Sequence, residues 1–214
     1  MIGIDNLNKN NSRIIWENHN GRKKLYTVPS EFKNQYRDWS PFDSKLSAAL
    51  FNGLEIFPFK PDSKIFYSDD SLDTTLNHLF DIIGPVGMIY VQKSSIKIKN
   101  SKNVVMIDNE KNNTVDKHNG KKQFDVIYFD ITNTQNLEAE LLNQKTNLKN
   151  QGFIIIIFYS VSKTNDSSFK NQINNIINHS ALSLQLIQEV NLAGFFKNSM
   201  MVVLQKTEKS FGVI

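Results

Sequence analysis

The order of segments along the chain predicts an α/β fold whose mainly parallel sheet is covered by helices on both faces. Three observations point there. From residue 62 onward, strand-like and helix-like segments alternate. The run "IIIIF" (Ile154 to Phe158) is apolar at every position, as in a strand buried on both faces. The stretch "DIIGPVG" (Asp81 to Gly87) supplies a helix stop, with Gly84 at C′ and Pro85 after it.

Each element has its own local signal. Residues 1–12 are polar. Arg13 to Val28 reads as two strands around Asn20-Gly21, a strong hairpin signal, and Pro29 ends the second strand. "WSPFDSKLSAALFNGL" reads as a helix with Ser40 as N-cap, Pro41 at N1 and Asp43 at N3. Strands are predicted at 64–68, 87–92, 103–107, 124–130, 152–159, 183–191 and 199–206, and helices at 73–83, 135–148 and 168–179. Lys111 to Lys122 reads as a polar loop.

Composition narrows the chemistry. With 214 residues, 40% hydrophobic and 11% aromatic, the chain can bury a core as one globular domain with a small appendage. It has no cysteine, which excludes disulfides, Cys-ligated zinc and thiol catalysis. The four histidines, His19, His78, His118 and His179, show no metal-ligand spacing, so no metal site is read from them. The longest apolar run, Phe153 to Tyr159, is far too short to cross a bilayer. The N-terminus lacks the apolar block of a secretion signal, so a soluble intracellular protein is expected. The net charge of +4 is compatible with an RNA partner.

In an open parallel sheet, ligands bind beyond the carboxyl ends of the strands at the topological switch point. That rule singles out "KIFYSDDSLDTT" (Lys64 to Thr75). The turn has no glycine and carries Asp69, Asp70 and Asp73. Three readings stay open: an ordinary turn with Asp73 as N-cap and Asp69–Asp70 complementing the helix dipole, a remodelled cofactor site, or a cation site.

Several stretches resemble the fibrillarin family. "YRDWSPFDSKLSAAL" is similar to its signature, and "DIIGPVGMIYV" to its helix-to-strand segment. "FDVIYFDI" and "NQGFIIII" fall where two of its core strands belong, so the resemblance runs from about Arg37 to Leu204. It implies a class I (Rossmann-like) methyltransferase sheet with helices on both faces, preceded by a short N-terminal β-hairpin domain. The division expected is a tail and hairpin domain at 1–36 and a methyltransferase domain at 37–214. It further implies methyl transfer from S-adenosylmethionine to ribose 2′-hydroxyls of ribosomal RNA, inside a box C/D ribonucleoprotein. A guide RNA selects the site there and a Nop-type scaffold protein docks the enzyme. No membrane partner is expected, and the expected compartment is the nucleus, in its nucleolus, or an archaeal-type cytoplasm.

The resemblance also assigns residues. The family's cofactor turn reads roughly Leu-Gly-x-x-x-Gly-Thr-Thr. Here Ser68 stands for the Leu, Asp69 and Asp73 for the glycines, and Thr74 and Thr75 remain. A non-glycine residue at positive φ costs roughly 1–2 kcal/mol. A carboxylate about 4 Å from the donor's own carboxylate repels it by up to roughly 4 kcal/mol, or about a thousandfold in affinity. Lys93 takes the place of the acid that holds the donor's ribose, and an ammonium cannot accept those hydroxyl protons. Asp108 or Glu110 matches the acid near the adenine. Of the catalytic Lys, Asp, Lys and His, this chain has Lys45, Asp130, Tyr159 and Ser199.

Each position also has a plainer reading. Lys45 could be a solvated helix lysine and Asp130 a strand-end cap. His78, Phe195 and Phe196 read as packing. Arg22, Lys23 and Lys24 at the hairpin tip, and Lys97, Lys99 and Lys102 further on, could meet RNA phosphates or simply face solvent. The leading expectation is a fibrillarin-like component of a box C/D ribonucleoprotein, catalytically weak or inactive in this copy. The alternatives are an active, divergent methyltransferase and a repurposed protein-interaction module.

Overall fold

A computed structural model describes residues 13–29, 35–70, 74–92, 103–107, 115–116, 120–121, 123–130, 137–159, 166–179 and 181–207. Two strands, β1 (Ile14–His19) and β2 (Arg22–Thr27), form the expected hairpin. Asn20 and Gly21 both have positive φ, 51° and 79°, the conformation a two-residue hairpin turn demands. A third strand, β3 (Arg37–Asp38), pairs with β2 and was not anticipated, because two polar residues carry no strand signal. It leads the chain from the hairpin into the first helix.

Helix α1 (Lys45–Phe51) begins four residues later than predicted for its cap. Ser44, not Ser40, is the N-cap, and its hydroxyl accepts from the Ser47 amide. Residues 41–43 are a turn instead, and the Ser40 hydroxyl accepts the Phe42 amide. The cause lies in the core. Trp39 is fully buried, and its indole N–H donates to Ser44 Oγ at 2.9 Å, which holds Ser44 at the helix start.

The main sheet comprises β4 (Lys64–Asp69), β5 (Met88–Gln92), β6 (Val104–Ile107), β9 (Phe124–Asp130), β10 (Leu148–Tyr159), β11 (Leu184–Asn191) and β12 (Ser199–Lys206). Their order across the sheet is β11-β12-β10-β9-β4-β5-β6, and only β12 runs antiparallel to its neighbours. Strand β10 begins at Leu148, inside the span predicted as helix, because Gln151 takes φ 59° and a bulge lets Leu148 pair with Phe124. Two short strands, β7 (Val115–Asp116) and β8 (Gly120–Lys121), pair within the predicted polar loop.

Period-two alternation divides the core. Ile65, Tyr67, Val126, Tyr128, Ile155 and Ile157 face one cluster, shared with α1, with α2 (Thr75–Ile83) and with the N-terminal sheet. Phe66, Ile127, Phe129, Ile154, Ile156 and Phe158 face another, covered by α3 (Leu137–Lys145) and α4 (Asp166–Asn178). Ile154 to Phe158 are all fully buried, as the apolar run predicts. Helix α2 ends at Gly84 with φ 70°, as expected, and a Cβ there would meet the Arg13 guanidinium at 3.2 Å. No described helix is long and apolar enough to cross a membrane.

One buried polar knot fastens the N-terminal sheet to α2. Asp81 Oδ2 accepts from Thr27 Oγ1 and from Arg37 Nε, each at 2.7 Å. The single Thr27 hydrogen goes to Asp81, so His78 Nδ1, 2.9 Å from the same hydroxyl, carries a proton and donates. The His78 ring stacks on Trp39 at 4.9 Å. Burial first, and the Arg37 charge second, lower its pKa from 6.5 to about 3. His78 is therefore a neutral packing residue, as the sequence suggested.

The knot makes stability depend on pH. Between about pH 3 and 6.5 the unfolded chain binds a proton at His78 that the native state refuses. Stability thus falls on acidification through that window, with a slope of up to about 1.4 kcal/mol per pH unit. Urea midpoints between pH 4 and 7.5 should show this slope in the parent and a shallower one in His78→Phe; equal slopes would refute the assignment. Trp39→Ala should cost about 3–5 kcal/mol in the same assay, and a loss under about 1 kcal/mol would deny Trp39 its bracing role.

Candidate active-site edge

The topological switch falls between β4 and β9: the chain leaves β4 toward β5 and β6, then returns to β9 on the other side. Their carboxyl ends, Asp69 and Asp130, are direct neighbours in register, one rung beyond Ser68 and Phe129 and two beyond Tyr67 and Tyr128, which stack at 5.1 Å and 6°. Asp69 is the last residue of a strand, not part of a left-handed turn, so the backbone strain expected for a glycine replacement is absent at this position. Its buried carboxylate accepts the Tyr67 hydroxyl at 2.5 Å. Residue 73 lies outside the described residues, and Thr74, not Asp73, is the N-cap of α2.

Four of the sequence-predicted residues meet on this edge. Lys45, at the start of α1, reaches across to Asp130 with Nζ 2.7 Å from Oδ2. Its side chain is 5% exposed, so the solvated-lysine reading fails. Tyr159, two residues past the partner of Asp130 on β10, donates its hydroxyl to Oδ1 of the same carboxylate. Ser199 pairs with Tyr159 across β10 and β12, but its hydroxyl turns to the Lys197 carbonyl at 3.2 Å. Phe196 covers the cluster, its ring centre 5.3 Å from Lys45 Nζ. A buried ion pair of this kind is held by geometry and extra hydrogen bonds; removing one partner alone typically costs about 3–5 kcal/mol.

Thr74 and Thr75 are tied to the region that opens α1. Thr75 Oγ1 lies 2.8 Å from Ser44 Oγ, which already accepts from Trp39 and from Ser47 and so donates to Thr75. The Thr74 amide and hydroxyl both donate to the Asp43 carbonyl. These bonds hold the start of α1, and with it Lys45, against the start of α2.

The remaining predicted positions divide. Arg22, Lys23 and Lys24 stand exposed on β2, in the N-terminal sheet rather than on this edge. Lys93, Lys97, Lys99, Lys102, Asp73 and Asp108 lie outside the described residues. The structure adds a polar group the sequence reading missed. Glu140 on α3 lies near Gln92 and Asp70, on the opposite face of the same edge. Burial raises its pKa, a Gln92 hydrogen bond lowers it, and the Asp70 charge raises it. A lone glutamate in a polar helix gives no sequence signal.

Comparison with known proteins agrees with this layout. The Fibrillarin family model matches residues 3–208. A fibrillarin-like rRNA/tRNA 2′-O-methyltransferase of Methanocaldococcus jannaschii is 32% identical over 181 residues, covering 79% of this chain and 77% of that one. An RNA 2′-O-methyltransferase of Mus musculus is 31% identical over 146 residues, 64% of this chain and 46% of its own length. The chain thus spans less than half of that animal relative. Among solved structures, the Methanococcus jannaschii fibrillarin pre-rRNA processing protein superposes with a TM-score of 0.71 at 26% identity, over 91% of this chain and 99% of that one. A fibrillarin/Nop5p complex shares the fold at a TM-score of 0.69 and 19% identity, covering 91% and 97%. With its class I methyltransferase sheet, its small antiparallel sheet in front and a family match over nearly its whole length, the chain belongs to the fibrillarin family.

Proposed function

We propose that this chain is a fibrillarin-like component of a box C/D-type ribonucleoprotein, acting in rRNA 2′-O-methylation or processing, and that this copy is catalytically weak or inactive. Its partners in this reading are a Nop-type scaffold protein, a box C/D guide RNA and ribosomal RNA. Its compartment is a nucleolus or an archaeal-type cytoplasm. The fibrillarin/Nop5p structure of the same fold supports the scaffold.

The observation that carries the weak-activity reading is the state of Asp130. Each of its oxygens accepts a hydrogen bond, Oδ2 from Lys45 and Oδ1 from Tyr159. A target ribose hydroxyl has to compete with Lys45 and Tyr159 for the lone pairs of this carboxylate before it can give up its proton there. Ser199 cannot replace a histidine as a base, and its hydroxyl is turned away.

S-adenosylmethionine is the donor that the family resemblance assigns, and the residues present fit it poorly. The position of the turn's first glycine is held by Asp69, a residue in register with Asp130. Thr74 and Thr75 bond to the start of α1. The paired carboxylates favour a sulfonium but oppose the donor's own carboxylate, by up to roughly 4 kcal/mol at about 4 Å.

An active, divergent methyltransferase is the second reading. The intact Lys45–Asp130 pair favours it. Calorimetry with S-adenosylmethionine separates the two. The parent chain should bind at millimolar strength or weaker, and Asp69→Gly should tighten binding by on the order of tenfold or more. Micromolar binding by the parent would overturn the weak-activity reading. Methyl transfer to a guide-matched RNA, with a Nop-type protein and guide RNA added, should be near background for the parent. It should rise in the Tyr159→Lys, Ser199→His double variant. Robust transfer by the parent would establish the second reading instead.

A further inference from the structure

The turn between β11 and β12 arches over the start of α1 and presents a row of aromatic rings. Phe196 covers Lys45. Phe195 meets Phe51 at 5.9 Å and Phe42 edge-on at 5.1 Å and 78°. Phe51, Phe195 and Phe196 are half-buried against the core, whereas Phe42, at the outer end of the row, is 68% exposed. Lys197 follows Phe196 on the same turn and is exposed, and its carbonyl is tied to Ser199. Asn198 takes φ 55°, which lets the turn double back into β12.

A single exposed apolar residue is ordinary on a protein surface. This one differs in its setting. Phe195 holds its ring from one side, it lies three residues before Lys45, and Lys197 puts a cation on the neighbouring turn. An aromatic face beside a positive charge suits a nucleotide: bases stack on such rings and phosphates meet the cation. A protein-docking patch would need several hundred Å² of continuous apolar surface, and here the row turns inward at Phe195.

We propose that Phe42 and Lys197 form a lip that grips the RNA nucleotide at or beside the target ribose, its base stacked on Phe42 and its phosphate met by Lys197. The inference rests on the RNA-facing reading above but requires neither donor binding nor methyl transfer. An oligoribonucleotide carrying one 2-aminopurine, titrated with the full chain, tests it. The parent should quench the fluorescence on binding. Phe42→Ala should abolish the quenching and weaken binding by on the order of tenfold, and Phe42→Trp should restore both. Lys197→Ala should weaken binding and lower the slope against log salt by about one. The thermal midpoint of Phe42→Ala should fall by no more than about 2–4 °C, because the ring is exposed and loses only its edge contact with Phe195.

Quenching and affinity unchanged in Phe42→Ala, with the parent binding RNA, would sink the lip and leave the RNA-facing reading standing. No RNA binding by the parent would sink both. If Phe42→Ala instead loses only affinity for a Nop-type scaffold protein, the ring belongs to a protein contact and the lip is overturned.

Discussion

A cation and an anion buried side by side, Lys45 and Asp130, set the terms for the rest of this molecule. Neither could be desolvated alone without a cost of several kcal/mol, so the fold must deliver both to one point. They lie on a short helix and at the end of a central strand, and everything around them serves that meeting. Trp39 pins Ser44, Ser44 caps α1 and bonds Thr75, and Thr75 opens α2. The same tryptophan stacks on His78, which belongs to the Asp81 knot that fastens the N-terminal sheet. The stretch Arg37 to Lys45 is thus a brace, and the spacing of its Arg, Trp, Ser and Lys is the spacing of the groups it holds.

The edge chosen for the pair is set by topology. Where the chain reverses direction across the sheet, two strand ends lie side by side with no crossover helix closing the gap. Polar side chains gather there on both faces: Asp69, Asp130 and Tyr159 toward α1 and α2, and Asp70, Gln92 and Glu140 toward α3. The brace acts on Lys45 through Trp39, Ser44 and Thr75, which bond to one another. Tyr159 donates its hydroxyl to the carboxylate of this ion pair.

Much of the fold was legible in the sequence wherever local chemistry and tertiary context agree. Asn20-Gly21 announced its hairpin because both residues tolerate positive φ. "IIIIF" announced a strand buried on both faces, and Gly84 a helix end. The failures came where long-range contacts decide. Ser40 and Ser44 are equally good caps by type, and only the buried Trp39 indole chooses between them. The early start of β10 depends on a left-handed Gln151, a conformation its composition does not advertise. Convergence of Lys45, Asp130, Tyr159 and Ser199 was readable by resemblance. That Asp69 would extend a strand beside Asp130, instead of straining a turn, needed the register.

The alternation of the central strands has a further consequence for how faithfully they pair. Asp69, Asp130 and Tyr159 share the parity of the residues beneath them, so all three look toward Lys45. Slide β9 by a single position and Asp130 would swing to the far side, among Phe129, Ile156 and their neighbours, with no cation in reach. Apolar strands such as these could otherwise tolerate misalignment, since both sides are greasy. The ionised tip acts as a proofreading mark, making every shifted pairing far costlier than the correct one.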